Sequence, residues 1–108
     1  MKPSRPFRAT QLAQLKDPES AALYLEEALA AGDTDAFKLA LRNVAEARLG
    51  GMSALSERAE LNREALYRSL SEGGNPTLET LTKLMRALGL RISVSVERMG
   101  SHRPEATP

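Results

Sequence analysis

At 108 residues, with 42% apolar and 27% charged side chains, the chain has the length of one ordinary domain and is too apolar to be disordered. The absence of cysteine excludes a disulfide framework, a thiolate metal site and a thiol nucleophile. A formal net charge of +1 means that a nucleic-acid partner has to be met by a local patch and not by overall charge.

Residues 1–9 carry two prolines and three basic side chains, Lys2, Arg5 and Arg8, and read as an extended arm with three uses: disorder, a phosphate contact or partner binding. Nothing in the opening MKPSRPFRATQ resembles the apolar core of a signal peptide, and no apolar run approaches the roughly 20 residues that span a bilayer. The expected compartment is the cytoplasm, with no membrane partner.

From residue 10 to 97 the pattern is that of a single helical domain, rich in the helix formers Ala, Leu, Glu and Arg. A short helical turn is expected over Thr10 to Leu15. Asp17-Pro18-Glu19 then has the chemistry of a helix start, with Ala22, Leu25, Ala28 and Leu29 as the apolar stripe and Gly32 as the stop. Asp33 opens the next helix, in which Phe37, Ala40, Leu41, Val44 and Ala45 face inward and Lys38, Arg42, Glu46 and Arg48 face outward, ending at Gly50-Gly51.

Ser53 is the expected cap of a short helix through Ala59, and Asn62 the cap of another through Ser71 that buries Leu66 and Leu70. Gly73-Gly74-Asn75-Pro76 is a loop. Thr77 starts the last helix, with Leu78, Leu81, Leu84, Met85 and Leu88 inward and Gly89 as its end. The period then drops to two: Leu90, Ile92, Val94 and Val96 alternate with Arg91, Ser93, Ser95 and Glu97, predicting a strand over 90–97. Residues 98–108 read as a disordered tail.

Two short helices separated by about three residues have the spacing of a helix-turn-helix, whose second helix projects into a major groove. Its exposed side would carry Asn62, Arg63, Glu64, Tyr67 and Arg68. Arginine can grip guanine O6 and N7 with two bonds, and asparagine can pair with adenine. Glu64 would accept from cytosine N4 or orient Arg68, and Tyr67 would meet a phosphate or a thymine methyl or else cover the core edge. Ser53, Asn75 and Thr77, at the starts of neighbouring helices, are candidates for phosphate contacts.

The bland alternative makes Arg63, Glu64 and Arg68 a solvated helix face. Glu26, Glu27, Asp33 and Asp35 have no converging base or nucleophile and are taken as surface and capping residues, and His102 as a solvated tail residue with no metal spacing. No catalysis, metal or cofactor is expected.

The run GMSALSERAELNREALYRSLSEGGNPTLETLTKLMRALGLRISV resembles the C-terminal half of the addiction-module antidote proteins, HigA-like antitoxins with a phage-repressor type helix-turn-helix. DPESAALYLEEALAAGDTDAFKLALRNVA resembles their N-terminal half, so the likeness covers nearly all of the chain apart from its ends. The resemblance implies an all-α fold, five helices around a lambda-repressor-like helix-turn-helix plus the C-terminal strand. It also implies a dimeric DNA-binding antitoxin that neutralises a RelE/ParE-superfamily toxin and represses their shared operon. Asn62, Arg63, Glu64, Tyr67 and Arg68 fall on the family's recognition helix.

One position departs from the pattern: Glu60 stands where the turn usually has glycine, a cost of roughly 1 kcal/mol if the backbone there is left-handed. Two further readings compete with this one, a stand-alone regulator without a toxin and a protein-interaction module that never touches DNA. A lone strand needs a partner for its N–H and C=O groups. Leu90, Ile92, Val94 and Val96 would therefore pair either with their own copy, giving a two-fold dimer, or with the sheet of a toxin.

Overall fold

The structure, a computed structural model, describes the backbone of residues 5–97 and the side chains of residues 10–97. Six helices follow one another among these residues: α1 (Arg5–Gln14), α2 (Pro18–Ala30), α3 (Thr34–Leu49), α4 (Met52–Ala59), α5 (Arg63–Ser69) and α6 (Leu78–Ala87). The all-helical expectation holds, with one helix more than the five expected. The extra one is α1, which replaces the short turn and takes in Arg5–Ala9 of the expected arm. Pro6 lies in its first turn, where a missing N–H costs no helical bond. The expectations for residues 1–4 and for the tail at 98–108 lie outside the described residues, as do the side chains of Lys2, Arg5, Arg8 and His102.

Four helix starts are fixed by side-chain caps at the positions the sequence indicates. Asp17 accepts from Ser20 N–H at 2.9 Å and Asp33 from Asp35 and Ala36 N–H at 3.0 and 3.2 Å. Asn62 accepts from Ala65 N–H at 2.8 Å and Thr77 from Thr80 N–H at 3.1 Å. Each satisfies a donor that the first helical turn leaves free. Ser53 does not cap α4. Gly51 holds that place, Ser53 sits inside the helix, and the Ser53 carbonyl accepts from Ser56 Oγ at 2.9 Å.

The central element is α3, which packs on α1, α2 and α4, while α4 packs in turn on α5 and α6. Lys38, Ala40, Leu41, Asn43, Val44 and Ala45 are all buried, more than half of the helix circumference. Leu41 and Val44 meet Leu55 of α4, Leu66 and Leu70 at α5, and Leu84 and Leu88 at α6 in one core. Asn43 Nδ2 donates to the Tyr24 hydroxyl at 2.9 Å, joining α3 to α2.

Three cations expected on the outside of α3 instead hold carbonyls at helix ends and in the loop after α5. Lys38 is 2% exposed and its Nζ donates to Ser71 O and Gly74 O at 2.7 and 2.8 Å, with Asp35 at 3.0 Å. Arg42 donates to Leu70 O at the end of α5. Arg48 donates through Nη1 to Lys16 O at 2.6 Å, just past α1, and through Nε to Leu88 O at 3.1 Å, just past α6. Terminal carbonyls lack helical partners and carry the negative end of the helix dipole, so cations from a neighbouring helix are suited to satisfy them.

Gly74 belongs to the same lock. A Cβ there would lie 2.1 Å from Arg68 O, so the loop can approach the end of α5 only without a side chain. Leu29 and Leu78, expected inward, are 63% and 70% exposed. Both line an open groove of about 740 Å³ between α2, α3, α6 and residues 89–93. The expected strand is not formed. Residues 90–97 have no regular structure, and Val94 and Val96 are 94% and 87% exposed, because the described chain offers no second strand to pair with.

Candidate nucleic-acid interface

The geometry of α4 and α5 is set by three residues. Glu60 ends α4 in the left-handed conformation, φ 58° and ψ 47°, the one non-glycine residue with positive φ among those described. The chain reverses there: Leu61 N–H donates to Ser56 O at 2.9 Å, and the Leu61 side chain tucks against the core. Asn62 then opens α5 through its cap.

This turn presents the two sides of α5 differently. Leu66 and Leu70 are buried, whereas Asn62, Arg63, Glu64, Ala65, Tyr67 and Arg68 are exposed. Pairs four apart share a face, so Arg63 with Tyr67 and Glu64 with Arg68 form the outer edge, adjacent rows turned by about 100°. The Arg63 guanidinium lies over the Tyr67 ring, 5.8 Å from its centroid, which draws the two together along the row beside the buried Leu66, while Glu64 and Arg68 lie on the side opposite it. Tyr67 is 46% exposed, with more than half of its surface covered. Among the described residues no ion pair joins Glu64 to Arg68.

The structure divides the remaining candidates. The carboxamide oxygen of Asn62 is taken by the α5 cap, leaving its amide group to face outward. Thr77 Oγ1 caps α6 and meets Thr80 Oγ1 at 3.0 Å. Asn75 is exposed in the loop that Lys38 fastens, and Ser53 is exposed on the first turn of α4. Ser53, Asn75 and Thr77 thus come from elements next to α5 in the chain, while the five residues from Asn62 to Arg68 are gathered on one short helix.

Sequence reasoning missed Lys38, Arg42 and Arg48, which hold the end of α5, its following loop and the end of α6 in place. A signal for two of them was present: Lys38, Leu41, Ala45 and Arg48 recur at helical spacing, so both cations lie on the edge of the buried stripe. Among the described residues no cluster of three or more His, Cys, Asp or Glu side chains is gathered as a metal ion would require. None of their helices is long and apolar enough to cross a membrane.

Comparison with known proteins adds to this geometry. A family described as "Probable addiction module antidote protein" matches residues 6–96. An uncharacterized protein of Haemophilus influenzae is 39% identical over 84 residues, covering 78% of this chain and 84% of that protein. No solved structure matches the chain. With the match running from the first turn of α1 to the residue before the last described one, the chain belongs to the addiction-module antidote family, in which an antitoxin stands opposite a toxin.

Proposed function

We infer that the protein is a DNA-binding antitoxin that acts by stoichiometric binding and not by catalysis. In this reading α4 and α5 are a helix-turn-helix of the lambda-repressor type, and α5 enters a major groove as the recognition helix. Arg63 and Arg68 read guanine edges or hold phosphates, and Tyr67, Glu64 and the Asn62 amide make the contacts around them. In the same reading Ser53, Asn75 and Thr77 meet the flanking backbone. The partner protein is a RelE/ParE-superfamily toxin, neutralised by direct contact in the cytoplasm, and the DNA is the operator of the shared operon, bound by a homodimer as an inverted repeat.

The observation that carries the DNA-binding half is the outward edge of α5. At its cap and along its seven residues α5 exposes Asn62, Arg63, Glu64, Tyr67 and Arg68, while Leu66 and the following Leu70 are buried in the core. Family membership carries the antitoxin half.

A mobility-shift assay of the purified protein against its own upstream DNA, combined with co-purification from its native operon, tests both halves. The expected results are a shifted complex outcompeted by specific but not by unrelated DNA, and a small basic partner retained with the protein. Retention of the partner without any DNA shift would leave a protein-interaction module and sink the recognition-helix assignment.

A further inference from the structure

The C-terminal segment leaves an apolar surface uncovered. Gly89, at φ 80°, closes α6, Leu90 N–H donates back to Met85 O at 2.7 Å, and the chain is turned into the groove walled by Leu29, Phe37, Leu78 and Leu81. Leu90, Arg91, Ile92 and Ser93 line this groove, but Val94 and Val96 beyond them lie almost wholly in solvent. Among the described residues the backbone groups of 91–97 make no hydrogen bond. In extended form Leu90, Ile92, Val94 and Val96 fall on one side and Arg91, Ser93, Ser95 and Glu97 on the other.

We propose that residues 91–97 pair antiparallel with the same residues of a second copy, about a two-fold axis through Val94, forming a ribbon whose apolar side closes the groove. This deepens the homodimer reading above and rests on it. Two arguments fix the register. Directly opposed residues of an antiparallel pair point to the same side, so only registers centred on a residue keep the apolar set together.

Among those, centring on Val94 places Arg91 opposite Glu97 of the second copy, and by symmetry does so twice, with Ile92 opposite Val96 and Ser93 opposite Ser95. Centring on Ser93 sets Arg91 against Ser95 and Glu97 against Gly89, and centring on Ser95 sets Glu97 against Ser93. Both forfeit the charge pairing that favours cross-strand neighbours. The groove supplies what the ribbon lacks: two strands alone are marginal in water and need an apolar surface beneath them. Ile92 is already at the groove, and the register brings Val96 of the second copy beside it.

Because the chain has no cysteine, single cysteines report the register without ambiguity. Val94→Cys would face its own copy with Cα atoms about 4.5–5.5 Å apart, inside the range of about 4.4–6.8 Å in which disulfides form. Ile92→Cys would lie four residues from its own copy, roughly 14 Å along the ribbon, and could not bridge. The expected result, in dilute protein under mild oxidation, is a covalent dimer from Val94→Cys alone. Ile92→Cys and Val96→Cys should give one only when mixed.

Val94 is 94% exposed, so the substitution leaves the monomer fold untouched. Arg91→Glu should weaken dimerisation about tenfold, and adding Glu97→Arg should restore it. A dimer by light scattering that crosslinks through Ile92→Cys or Ser93→Cys alone would overturn the register and keep the homodimer. A protein that is monomeric by light scattering and crosslinks at none of these positions, or only to its toxin, would overturn both.

Discussion

Glu60 shows how one residue can be wrong for its own backbone and right for its surroundings. Its φ of 58° is where a Cβ crowds the following carbonyl, yet the turn that aims α5 outward depends on that conformation. Glu60→Gly should therefore raise unfolding free energy by about 1 kcal/mol, read as a higher urea midpoint at unchanged slope. An unchanged or lower midpoint would mean that the glutamate makes a compensating contact. The need for a left-handed residue was legible before any coordinates, because the resemblance placed a glycine there. Asp17, Asp33, Asn62 and Thr77 were legible as caps because a short polar side chain before a helical run has a local cause. Ser53 was not, since Gly51 competes for the same place and the backbone turns there, at φ 138°.

At the scale of elements the decisive pieces are the three cations of α3. Hydropathy alone sends Lys38 to solvent, and its carbonyl partners are 33 and 36 residues away, so the buried outcome depends on a contact that local pattern does not encode. The same limit applies to Leu29 and Leu78, whose helical spacing is right but whose covering surface is missing from the single chain. Lys38→Met keeps the stem and removes the donors of two loop carbonyls. Hydrogen bonds from a charged group are worth about 1.5–3 kcal/mol, so a total loss of about 2–4 kcal/mol is expected by urea denaturation, the carbonyls regaining part of it from water. The α5–α6 loop should lose protection from hydrogen exchange before the rest. A variant within 0.5 kcal/mol of the parent, a change typical of roughly neutral surface sites, would show that the clamp is passive.

Taken whole, the molecule is a core built on α3 with two unfilled surfaces: the outer edge of α5 and the groove continued by residues 90–97. Most of the helical architecture could be read from the sequence because cap, stripe and stop agree at α2, α3 and α6, whereas α1 reads only as a short turn and Ser53 lies inside α4. The fate of the alternating segment could not, since its period predicts a strand and the described residues offer no second strand to pair with it. The two surfaces also differ in how they meet charge. In the sequence Arg63 and Arg68 stand among Glu57, Arg58, Glu60, Glu64 and Glu72, so on the proposed function few counterions should be released when DNA binds.

The central claim, that this edge meets DNA, is tested most directly by the binding of labelled upstream DNA measured by fluorescence anisotropy across a salt series. The parent protein, Arg63→Ala and Arg68→Ala would be compared. Each substitution should cost about 1–3 kcal/mol of specific binding if the arginine reads a base, or lower the salt slope by about 1 if it holds a phosphate. Affinity and salt slope unchanged in both variants would contradict the claim.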